Sequence, residues 1–198
     1  MYFFRLLLYS REFIIIKMII LVGASASGKT ATALELQRKY GLIKAVTTTT
    51  REMRAGEHNG IDYFFISRKE FLDRNKKGLF VETTLYNDNF YGCGVDQVDD
   101  NRIIVLDPNG LHAFKALNND HVISFLIECN EKQREARMRS RGDKEEKITQ
   151  RLENDVIDFD KRKIGKTDFV IKTDDLTIEE AADIIYKKYM EKLNSLKK

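Results

Sequence analysis

The segment GASASGKT, residues 23–30, carries the densest chemical signal in this 198-residue chain. It satisfies the pattern GxxxxGK[ST] at each fixed position, with Gly23, Gly28, Lys29 and Thr30, and fills the rest with the small residues Ala24, Ser25, Ala26 and Ser27. Small residues let the backbone curl so that successive N–H groups face a phosphate at a helix N-terminus. Lys29 would then reach the outer phosphates and the Thr30 hydroxyl would coordinate Mg²⁺. A motif of this kind requires a buried strand before it and a helix after it. The apolar run Met18–Val22 supplies the strand, and the spacing of Ala33, Leu34 and Leu36 within Lys29–Tyr40 supplies the helix.

The remaining elements must position that loop. Residues 44–65 read as polar and irregular, and Ser67 with Glu70 forms a capping box that opens a helix. Strands are expected at 79–85 and 102–107, the latter ended by Pro108 and Gly110, and at Val122–Glu128. Helices follow at 131–141 and 144–163, then a strand at 168–171 and a closing helix at 177–193 begun by a Thr177/Glu180 capping box. Such alternation implies an α/β domain of the P-loop NTPase type, three layers around a mostly parallel central sheet, with ligand at the carboxyl ends of the strands. Two charged stretches, about 47–95 and 130–163, interrupt it.

Composition is that of one ordinary globular domain, 42% apolar and 33% charged, and a net charge of +3 is too small to argue for nucleic acid. Cys93 and Cys129 have no CxxC spacing and fit reduced thiols in a cytosol; His58, His112 and His121 have no metal-ligand spacing. Residues 1–17 are apolar but broken by Arg5, Arg11, Glu12 and Lys17, which argues against a signal peptide or a membrane span. We read them as an N-terminal extension ahead of a natural start at Met18, with an added strand or helix as the alternative, and 18–198 as the domain.

A phosphate loop leaves the acceptor open, and the interrupting stretches narrow it. VTTTTREMRAGEHNGIDYFF, residues 46–65, resembles the guanylate kinase signature VSxTTRxxRxGExxGxDYxF, and the resemblance continues through FVET (80–83), NFYG (89–92), RMRSRG (137–142) and TDDL (173–176). It covers essentially everything from Met18 onward. It implies an Mg²⁺-dependent kinase passing a phosphoryl group from ATP to GMP or dGMP, cytoplasmic, monomeric or homodimeric, with no nucleic-acid or membrane partner. Residues 47–95 would be the monophosphate-binding region and 130–163 a lid. The residues suit those roles. Arg51 and Arg54 offer guanidinium forks and Tyr63 and Tyr91 phenolic donors to a monophosphate dianion. Glu82 has two acceptor oxygens for the N1–H and N2–H₂ of guanine. Thr47, Cys93 and Asp107 complete the GMP set by resemblance. Arg137 and Arg141, four apart on one helix face, with Arg151, would close over the transferring group.

The chain departs from the family pattern at several places, among them Thr47, which keeps the hydroxyl of the usual serine. Cys93 stands where a serine or threonine is usual, Val105 replaces one of two aspartates with Asp107 kept as the second, and Thr173 replaces an asparagine. Other readings are a kinase of another nucleoside monophosphate, or a non-catalytic module that binds phosphorylated peptides.

Overall fold

Strand β1, Met18–Val22, is buried at all of its positions because both of its faces are covered. It pairs in parallel with β7, Arg102–Leu106, on one side and β8, Val122–Glu128, on the other. With β2, Ile43–Lys44, and β9, Phe169–Lys172, these make a five-stranded all-parallel sheet of order β2-β7-β1-β8-β9. The computed structural model describes residues 16–86 and 88–197. The expected extension therefore lies, for residues 1–15, outside the described residues.

The period of two along β1 divides the core. Ile19 and Leu21 face helices α1, Lys29–Tyr40, and α7, Ile178–Ser195, meeting Leu36, Ile185 and Tyr189. Met18, Ile20 and Val22 face the opposite layer, meeting Leu111 and Phe114 of α3, Pro108–Lys115, and Ile164 of α6, Lys161–Ile164. The result is three layers, as the alternation of elements predicts. Thr177 and Glu180 form the expected reciprocal capping box on α7.

A second sheet, β4-β3-β6-β5, occupies the first interrupting stretch. Its strands are β3, Thr48–Thr49, β4, Phe64–Phe65, β5, Phe80–Tyr86, and β6, Asn89–Gly94, and helix α2, Arg68–Lys76, packs Phe71 beneath it. The second stretch holds α4, Glu131–Ser140, and α5, Glu145–Asp158.

Local chemistry corrects several expectations. Pro108 does not merely end a strand; it is the first residue of α3, where its missing N–H costs nothing, and the Asp107 carboxylate caps that helix by accepting from Gly110 N–H at 2.9 Å. The helix expected at 144–163 is two helices, because the Asp160 side chain accepts from Arg162 N–H and starts a new turn. At α2, Ser67 accepts from Glu70 N–H, but the Glu70 carboxylate goes to Arg74, so only half of that capping box forms. Strand β6 was not expected from the sequence.

The Tyr189 hydroxyl is buried against the sheet with no hydrogen-bond partner among the described residues, and burial raises its pKa. Tyr189→Phe should therefore leave the melting temperature unchanged or raise it by about 2–4 °C. A calorimetric scan showing a clear drop would mean that the hydroxyl contributes a bond.

Candidate active site

Two left-handed residues, Ala26 at φ 58° and Gly28 at φ 103°, curl the loop after β1, and Ser27 N–H closes it onto the Ala24 carbonyl at 3.2 Å. A side chain at Gly23 would collide with the carbonyl oxygen of Ile127 in β8, so only glycine fits there. Helix α1 begins with Gly28 as its N-cap, with no side-chain cap and no acidic residue in its first turn. Its first N–H groups are thereby left to an anion. The Lys29 ammonium folds back over the loop, donating to the Ala24 carbonyl at 2.7 Å and approaching the Ser27 hydroxyl at 3.5 Å. Burial lowers its pKa to about 8, Asp155 opposing and Arg134 and Arg141 adding to the effect.

A cavity of about 390 Å³ opens in front of this loop. Gly23, Ser25, Ala26, Lys29 and Thr30 form one wall, while Ala24, Ser27 and Gly28 shape the loop without lining the space. Thr30 is exposed, leaving its hydroxyl accessible to a cation held by phosphate oxygens. Among the described residues no cluster of three or more His, Cys, Asp or Glu could cage a metal without such help.

Thr47, Arg51, Arg54, Tyr63, Glu82, Tyr91 and Asp107 form the facing wall, so the second sheet and the end of β7 bring these predicted residues together. Arg51 donates to both oxygens of Glu57 at 2.8 and 3.0 Å and lies over the Tyr63 ring, 5.4 Å from its centre. Tyr63 and Tyr91 meet edge to face. The Arg54 guanidinium has no ion pair or hydrogen bond among the described residues, and burial together with Arg51, Arg151 and Arg141 lowers its pKa. Glu82 accepts from Cys93 N–H at 2.9 Å. Burial, then the nearby Asp107, raises Glu82 to about 7, and burial raises Asp107 as well.

Cys93 is the exception in this set. Its thiol is fully buried, points to the Gly94 carbonyl at 3.5 Å and packs with the Met18 side of the core rather than lining the cavity. The position acts on the site through its backbone, by orienting Glu82. Val105 lines the cavity beside Asp107 as an apolar side chain.

Arg141 and Arg151 reach the cavity from the C-terminal end of α4 and from α5, and both pair with Asp143. Arg137 stands apart from the cavity wall, donating to the Ala26 carbonyl at 3.2 Å behind the loop. Glu135 pairs with Arg139, which leaves Arg137 and Arg141 to these other partners.

Several contributors escaped the sequence reading. Glu57 and Asp143 orient arginines, and only Glu57 had a signal, as a fixed acid in the 46–65 stretch. Arg134 and Asp155 form an ion pair of 2.6 Å that is nearly inaccessible to solvent, and Tyr86 joins them.

A family model described as guanylate kinase matches residues 15–192. The chain belongs to the guanylate kinase family. A guanylate kinase of Wolbachia pipientis wMel is 30% identical over 89% of this chain and 92% of its own length. One from Anaplasma phagocytophilum (strain HZ) is 33% identical over 84% and 82%. The crystal structure of guanylate kinase from Anaplasma phagocytophilum superposes with a TM-score of 0.65 at 27% identity, covering 89% of this chain and 86% of that one.

The environment of Glu82 has a consequence for stability. Its folded pKa of about 7 exceeds the unfolded value, so the folded protein holds the extra proton between those values and loses stability as pH rises through 7. Glu82→Gln cannot ionise. Its melting temperature relative to the parent should be higher at pH 8 than at pH 5, by about 2–4 °C for each kcal/mol recovered. A pH-independent difference would show that burial does not govern this carboxyl group.

Proposed function

We propose that this protein is an ATP-dependent kinase of GMP, and of dGMP, forming ADP and the nucleoside diphosphate. The observation that carries the reading is a single cavity walled on one side by the phosphate loop and on the other by Arg51, Arg54, Tyr91 and Glu82. Donor and acceptor groups thus face each other across one space. The family supports the same reaction.

In the transfer, an oxygen of the acceptor monophosphate attacks the terminal phosphorus while the bond to the bridging oxygen breaks and ADP leaves. No general base is required, because the attacking oxygen is already anionic. The protein's part is placement and charge. Arg51, oriented by Glu57, and the unpaired Arg54 hold the acceptor phosphate. Glu82 accepts from the guanine edge, and Thr47 and Asp107 flank it. Lys29 holds the outer donor phosphates, and Arg141 and Arg151 neutralise charge on the group in flight. Arg137 braces the loop through Ala26. When bound with ATP, Mg²⁺ would be held by Thr30 and would neutralise phosphate charge. We take residues 47–95 and 130–163 as the two moving parts around a fixed sheet. The two free thiols suit a reducing, cytoplasmic setting.

Two measurements test this. A coupled assay of ADP release over GMP, dGMP, AMP, CMP and UMP should show turnover with the guanine nucleotides at least about 100-fold above the others, as expected of a site that pairs a buried carboxylate with two donors. No turnover with GMP would end the reading, and equal rates with AMP would remove Glu82 as the selector. Separately, Lys29 is charged only below about pH 8 in the free protein. Nucleotide affinity should therefore fall by about tenfold per unit above that pH, with proton uptake on binding seen by calorimetry in buffers of different ionisation enthalpy. A flat profile from pH 7 to 9.5 would contradict it.

A further inference from the structure

The Asp155 carboxylate of α5 is almost wholly buried and bonds the phosphate loop, Arg134 and Tyr86. One oxygen accepts from Ser25 N–H at 2.9 Å and from Arg134 at 2.6 Å. The other accepts from the Ser25 hydroxyl at 3.2 Å and the Tyr86 hydroxyl at 3.1 Å. Loop N–H groups of this kind serve phosphate oxygens, and here an anion of the chain's own takes one of them.

The position of Ser25 says which phosphate is affected. Tyr86 lies on β5, the strand that carries Glu82, and its hydroxyl is also 3.2 Å from the Ser25 hydroxyl. Ser25 thus touches the strand that carries Glu82, and on the donor reading of the loop the phosphate beside it would be the outermost one, which has to travel that way. A carboxylate and that phosphate cannot share Ser25 N–H, since both are anions and both accept. Arg134 makes the present arrangement tolerable by neutralising Asp155, yet its Nε has no partner among the described residues.

We infer that Asp155 is a specificity-determining residue that stands in for the terminal phosphate of the donor, so that a nucleoside triphosphate must evict it whereas a nucleoside diphosphate need not. This rests on the reading of the loop as the donor site. Eviction also breaks the bond to Tyr86, so donor binding removes one tie between α5 and the second sheet. Once the phosphoryl group has moved to the acceptor, the carboxylate returns to Ser25 N–H and favours the spent diphosphate over a second triphosphate.

The test is calorimetric titration of the full-length protein with ATP and with ADP, in excess Mg²⁺ and without acceptor. Asp155→Asn removes the charge. The double variant Arg134→Leu/Asp155→Ala removes the pair together, leaving no buried guanidinium without a counter-charge. In each, the ratio of the ADP to the ATP dissociation constant should rise by about tenfold, the worth of one charge-assisted hydrogen bond, with ADP affinity nearly constant. If Asp155→Asn does not fold, the double variant decides. An unchanged ratio, or ATP weakened relative to ADP, overturns the proposal. Because no acceptor is present, failure of the GMP reading would appear separately, as absent turnover in the unaltered protein.

Discussion

Everything chemical in this protein hangs on the end of one buried strand. β1 is hydrogen-bonded along both edges and covered on both faces, so it has no freedom to shift its register. Its carboxyl end is therefore a fixed point. The loop inherits that rigidity, and the contact between Gly23 and the Ile127 carbonyl ties it to β8 as well. Anion recognition by backbone N–H groups needs such a support, because the groups are useful only while they converge.

Around this fixed point the charges are arranged to be incomplete. Arg51 is held in place by Glu57, and Arg141 and Arg151 share one aspartate, Asp143. Arg54 has no partner among the described residues. Four guanidinium groups near two carboxylates leave an excess of positive charge that bound phosphates would balance. Elsewhere on the cavity wall the sign reverses, where burial raises the proton affinity of both Glu82 and Asp107 and the Asp107 charge adds to the effect on Glu82. A ligand with an anionic end and a donor-bearing end fits that polarity in only one orientation.

The loop, its strand and its helix were legible in the sequence because their signals are local: a fixed spacing, an apolar run and a helical period. The acceptor residues were legible through resemblance, since Arg51, Arg54 and Tyr63 lie within one stretch of 20 residues. What was lost was lost to tertiary context. Strand β6 contains Gly92 and Gly94 and shows no alternation, so its pairing with β5 rather than its composition makes it a strand. Cys93 could not be placed because its burial depends on how the second sheet sits over the core. Arg134 and Asp155, 21 residues apart, looked like two more charges on solvated helices, and only the packing of α4 against α5 shows them as a pair.

The break between α5 and α6 bears on how force travels through the molecule. α6 is pinned by Ile164 in the core and by the Lys163 carbonyl, which is bonded to the His112 ring of α3. The helical run is thus interrupted at Phe159 and Asp160, with α6 fixed on the far side. One continuous helix would act as a lever, carrying any swing of Arg151 into the layer beneath the sheet. Two helices in sequence interrupt that lever between Arg151 and the core under β1.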